Sequence, residues 1–74
     1  MTFADNIKAR RFRAGLTQTH AADLAGVSQS YWSELEAGVS RPGIDVLVRA
    51  AHALGCEPGE LLNEKNFTKS GSGA

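Results

Sequence analysis

Residues 17–38 read TQTHAADLAGVSQSYWSELEAG, and this stretch decides the fold. Thr17 and Ser28 are residues that cap helix N-termini through their side-chain oxygens, and Gly26 and Gly38 stop helices because glycine adopts the left-handed turn readily. The pattern predicts one helix over Gln18–Ala25 and a second over Gln29–Ala37, joined only by Gly26-Val27-Ser28. A connection that short sets two helices at a steep angle and leaves the second available to a groove or partner. Ala21 and Ala22 are small where the helices must approach, and Val27, Trp32 and Leu35 are expected to face inward.

The same punctuation extends outward. Toward the N-terminus, Thr2 with Asp5 three positions on has capping-box spacing and opens a helix over Phe3–Ala14, which Gly15 closes. Toward the C-terminus, a helix over Ile44–Leu54 has Asp45 in its first turn, where a negative charge suits the exposed amides, and Gly55 after its last residue. Gly43 offers it no side-chain cap. A short fifth helix starts at Pro58, with Glu57 as its cap, and runs to about Asn63. Ile44, Leu47, Val48, Ala51 and Leu54 recur at three- and four-residue spacing and form one apolar stripe. Ile7, Leu16, Leu24, Val27, Trp32, Leu35, Cys56 and Leu61 are expected to complete the core. The fold class is therefore all-α, five helices in one domain over residues 1–64, with a flexible Gly- and Ser-rich tail over 65–74 that holds Lys65 and Lys69.

Composition removes several function classes. A chain of 74 residues has room for one domain. It has no apolar run near the roughly 20 residues that span a bilayer, and no signal-peptide pattern, so a cytoplasmic protein with no membrane association is expected. Cys56 is alone and forms no internal disulfide. His20, His52 and Cys56 lack the spacing and the partners to close a metal site, and Ser28, Ser30 and Ser33 lack a paired His and Asp arrangement. No enzyme, no metal and no cofactor is expected. The formal net charge is zero, but it is divided: Lys8, Arg10, Arg11 and Arg13 face Asp5 alone in residues 1–16, while Glu57, Glu60 and Glu64 crowd residues 54–64.

At about 100° per residue from Gln29, Trp32 falls near 300° and Leu35 near 240°, so the opposite face of that helix carries Ser30, Ser33, Glu34 and Ala37 with Gln29 at its edge. Short hydrogen-bonding groups without long basic chains can approach base edges closely. The runs Gly15-Leu16-Thr17-Gln18, Ala22-Asp23-Leu24-Ala25-Gly26-Val27-Ser28-Gln29-Ser30, Glu36-Ala37-Gly38 and Ala51-His52-Ala53-Leu54-Gly55 together resemble the phage-repressor (Xre-type) helix-turn-helix family over roughly residues 3–62. The resemblance implies a five-helix domain that binds palindromic operator DNA as a homodimer, with the third helix in the major groove and no enzyme activity. It implies that Gln29 reads an adenine and is braced by Gln18, with Ser30 and Glu34 as further base-reading positions, to which the outward face adds Ser33; the Glu34 carboxylate either accepts from a cytosine N4 amine or is a tolerated neighbour of the DNA backbone. Thr17, Gln18 and Arg41 match positions that grip the DNA backbone, and Arg11 with Glu36 matches a structural pair between the first and third helices. Leu62 and Phe67 are the candidates for the dimer contact.

Three residues depart from the family pattern. His20 stands where a Glu often completes a capping box, Arg10 occupies a position that is frequently apolar, and Trp32 replaces an aliphatic residue. The rival reading is a protein-interaction module of the same fold, such as an antitoxin, whose partner is a toxin or a co-regulator.

Overall fold

The computed structural model describes residues 2–62, and among them it contains five helices and no strand: α1 Phe3–Arg13, α2 Gln18–Ala25, α3 Gln29–Ala37, α4 Ile44–Leu54 and α5 Pro58–Leu61. The expectations for Asn63 and for residues 65–74 lie outside the described residues. Local chemistry accounts for the boundaries. Thr2 Oγ1 accepts from the Asp5 amide at 3.1 Å, Thr17 Oγ1 from the His20 amide at 3.0 Å and Ser28 Oγ from the Tyr31 amide at 3.1 Å. Each cap satisfies one of the donors a helix start leaves open and contributes about 1 kcal/mol. His20 therefore does not prevent Thr17 from capping α2, although it returns no bond. Glu57 opens α5, and its amide donates to Glu60 Oε1 at 3.0 Å.

The turn between α2 and α3 depends on Gly26, whose φ is +73°. A Cβ there would meet nothing closer than Arg49 Nη1 at 3.7 Å, so the requirement for glycine lies in the backbone conformation and not in space. The Val27 amide then turns back to the Ala22 carbonyl at 3.0 Å, and α3 starts two residues later.

Ile7, Ala21, Ala22, Ala25, Trp32, Leu35, Leu47, Ala50, Ala51, Leu54 and Leu61 form the core, and α2 packs chiefly on α4 and then on α3. Both helices bury alanines, Ala21, Ala22 and Ala25 on α2 and Ala50 and Ala51 on α4. Leu16, Val27 and Cys56 pack against the core half-buried, and burial pushes the Cys56 thiol pKa up.

Three residues assigned to the core are exposed: Leu24 at 55%, Ile44 at 75% and Val48 at 37%. The buried face of α2 is Ala21, Ala22 and Ala25, from whose centre Leu24 lies about 110° away. The buried stripe of α4 is Leu47, Ala50, Ala51 and Leu54, and Val48 is displaced from it by about the same angle. Ile44, in the first turn of α4, stands out toward solvent.

Asn6 supplies a polar tie that the sequence reading passed over. It is buried; its Nδ2 donates to the Glu60 and Leu61 carbonyls at 2.9 and 3.2 Å, and its Oδ1 accepts from Arg10 Nε at 2.9 Å. Two carbonyls at the end of α5 are thereby bonded from α1. The charge of Arg10 at an often apolar position is accommodated by the same residue.

Candidate nucleic-acid interface

Gln18 and Gln29 are the first residues of α2 and α3, and the turn brings these two helix starts together. Gln29 Nε2 donates to Gln18 Oε1 at 2.9 Å, and Gln18 Nε2 donates to Glu36 Oε1 at 3.1 Å. Glu36 is buried as the last residue but one of α3, where Arg11 Nε meets its Oε2 at 2.5 Å and Arg11 Nη2 its Oε1 at 3.0 Å. The indole Nε1 of Trp32, fully buried one turn earlier, donates to Oε2 at 2.6 Å. Arg11 Nη1 reaches the Leu16 carbonyl at 2.9 Å. Burial raises the Glu36 pKa, but the hydrogen bonds from Arg11, Gln18 and Trp32 and the charge of Arg11 outweigh it and hold the carboxyl below its ordinary range. Among the described residues no buried side-chain nitrogen or oxygen lacks a partner.

The outer face of α3 presents Gln29, Ser30, Glu34 and Ala37 to solvent, with Ser33 half-buried at its margin. Glu34 is engaged locally: Ser40 Oγ donates to its Oε1 at 2.8 Å, and the Val39 amide returns to the Glu34 carbonyl at 3.0 Å, so this residue braces the chain leaving α3. Thr17 is exposed and its oxygen accepts from the His20 amide, which leaves its hydroxyl hydrogen able to donate outward. Gln29, Gln18 and Thr17 thus gather at one end of the α2–α3 pair. Arg41 is exposed in the loop between α3 and α4.

That loop edges a groove of about 700 Å³, whose wall includes Phe3, Arg41, Pro42, Ile44, Leu47 and the half-buried Leu62. Phe67 lies outside the described residues. Among the described residues no three His, Cys, Asp or Glu side chains converge as a metal site would require.

The sequence reading missed the bonds from Gln18 and Trp32 to Glu36. One signal for the second was present: Trp32 and Glu36 are four apart on one helix, and a buried indole N–H needs an acceptor.

A family model described as a helix-turn-helix domain matches residues 2–64. An uncharacterized HTH-type transcriptional regulator, y4dJ of Sinorhizobium fredii, is 36% identical over 67 residues, covering 90% of this chain and 87% of its own length. The immunity repressor protein of Bacillus phage phi105 is 33% identical over 69 residues, and there the chain, although 93% covered, spans about half of the relative, 48%. Among solved structures, the P22 c2 repressor in complex with a synthetic operator superposes with a TM-score of 0.81 at 28% identity, covering 85% of this chain and 96% of that one.

Proposed function

Because the chain belongs to the helix-turn-helix family of DNA-binding transcriptional regulators, we propose that it is a repressor that binds a palindromic operator as a homodimer with α3 in the major groove. The family is one of regulators and not of enzymes. The observation that carries the reading is the hydrogen bond between Gln29 and Gln18. A surface glutamine normally loses rotamer freedom when it binds, and one already held in place has less to lose. Gln29 presents its amide to an adenine, Ser30 and Ser33 lie along the same groove, and Thr17, Gln18 and Arg41 contact sugar and phosphate. Glu34, tied to Ser40, contributes a base contact only where a cytosine N4 amine faces it.

Two copies engage half-sites about one helical turn apart. Leu62 and Phe67 form the dimer contact, supported by the exposure of Ile44 on the groove that Leu62 also lines. Residues 1–64 constitute the DNA-binding unit. No described helix is long and apolar enough to cross a membrane, and a regulator of this kind acts on DNA in the cytoplasm.

Selection from a random-duplex pool with purified protein, followed by anisotropy titration, tests the proposal. A single consensus with two-fold symmetry is expected, its affinity falling by about 0.9 log units per log unit of salt for each phosphate neutralised. Gln29→Ala is expected to lose on the order of tenfold in sequence preference. Absence of binding to any duplex would overturn the reading in favour of a protein partner, such as a toxin or a co-regulator. Sedimentation that finds only monomer, both free and on the selected duplex, would remove the homodimer.

A further inference from the structure

The geometry points to Glu36 and Trp32 as positioning residues for base recognition: the buried carboxylate sets, through Gln18, which edge of the Gln29 amide faces outward. This inference rests on the reading of Gln29 as a base-contacting residue.

An ionised carboxylate only accepts hydrogen bonds. Glu36 meets four donors, two on each oxygen: Arg11 Nε and Trp32 Nε1 on Oε2, Arg11 Nη2 and Gln18 Nε2 on Oε1. Its roughly four lone-pair sites are thus filled. A carboxylate offers nothing for a carbonyl oxygen to accept, so the Gln18 amide can face it only through nitrogen. Gln18 must then turn its oxygen toward Gln29, and Gln29 must donate to it, as the 2.9 Å bond records. One hydrogen of Gln29 Nε2 is committed inward; Oε1 and the second hydrogen remain for a ligand. That edge is one acceptor beside one donor, which complements the donor and acceptor of adenine N6 and N7 and opposes the two acceptors of guanine O6 and N7.

Trp32 has a distinct part. Its indole N–H and Arg11 Nε both hold Oε2, so the carboxylate plane is fixed with Oε1 toward Gln18. The lowered pKa of Glu36 keeps the group ionised, and the polarity in force, at neutral pH. Arg11 and Glu36 therefore do more than join α1 to α3. They hold the start of a three-residue relay that ends at the exposed tip of α3.

Two measurements test this. In free protein, through-hydrogen-bond NMR couplings are expected from Gln18 Nε2 to the Glu36 carboxylate carbon and from Gln29 Nε2 to the Gln18 side-chain carbonyl; their absence overturns the relay whether or not the protein binds DNA. On the duplex selected by the wild-type protein, each adenine is replaced by guanine in turn and the affinity ratio is read at the position sensitive to Gln29→Ala. Gln18→Met is expected to weaken all duplexes by a common factor and to reduce the adenine-over-guanine ratio at that position on the order of tenfold. Glu36→Gln lets the chain of amides reverse, and the ratio is expected to move toward guanine. Trp32→Phe keeps an aromatic ring, removes one of the two donors on Oε2 and is expected to lower the ratio less than Gln18→Met does. A ratio in folded Gln18→Met equal to that of wild type would overturn the relay while leaving the DNA-reading proposal intact. Should Glu36→Gln not fold, Gln18→Met and the couplings still decide. A purely structural Glu36 would alter melting temperature and leave the ratio standing.

Discussion

Helices α3 and α4 differ by two residues in length; both bury apolar side chains, Trp32 and Leu35 on α3, but only α3 adds a buried network of directional bonds among the described residues. α3 has a side-chain cap at Ser28, a buried carboxylate bonded to three other side chains, and an exposed polar face. α4 has Gly43 at its start with no side-chain cap, a buried stripe of Leu47, Ala50, Ala51 and Leu54, and an exposed ion pair, Arg49 to Asp45 at 2.9 Å. Apolar burial is non-directional and tolerates small rotations, so it suits a helix that supports others. Hydrogen bonds are directional, and a helix that must present particular atoms to a ligand gains from being located by them. The comparison explains why the polar network gathers on the helix that faces outward.

The largest effect is expected where that network is broken from inside. Arg11→Ala leaves Glu36 buried without its charge partner, and a loss of about 3–5 kcal/mol in urea unfolding is expected. Stability must also depend on pH through the same carboxyl. Because its folded pKa is below the ordinary 4.5, the unfolded chain binds the proton more readily between the two values. The stabilisation is then full above about pH 4.5 and is lost as pH falls through the folded pKa. Acid titration followed by circular dichroism should show that loss in the wild type and a flattened dependence in folded Glu36→Gln.

Smaller effects sharpen the contrast. Ser28→Ala removes the cap of α3 and is expected to cost about 1 kcal/mol. Arg49→Ala removes the surface pair of α4, half-exposed on one side and more on the other, and should change stability by less than about 1 kcal/mol, with most of that effect lost in high salt. Gly43→Ser is expected to raise the melting temperature slightly, by a cap worth a few tenths of a kcal/mol; a Cβ at Gly43 meets nothing within 4 Å. If Arg49→Ala proved as damaging as Arg11→Ala in thermal melts, the distinction between the two helices would fail.

Capping residues and glycines act on the backbone within a few positions of themselves. For that reason Thr2, Thr17 and Ser28 as starts, and Gly26, Gly38 and Gly55 as stops, made the first four helices legible from the chain alone, and Glu57 with Pro58 the fifth. The outward polar face of α3 followed from helical period, and the pairing of Gln18 with Gln29 from resemblance. Period locates a face on one helix without saying how much of it a neighbour covers, which is why Leu24, Ile44 and Val48 were assigned inward and stand in solvent.

What the sequence determined by itself was local: where each helix begins and ends, and which side chains share a side of it. Apart from Gln18 with Gln29 and Arg11 with Glu36, which the family resemblance implied, only the tertiary structure decided the partnerships across elements. Gln18 and Glu36 are 18 positions apart, and Asn6 meets carbonyls 54 and 55 positions away. Such bonds depend on how separate helices dock, which burial of the apolar faces sets, and on which atoms the docking leaves within about 3 Å of one another.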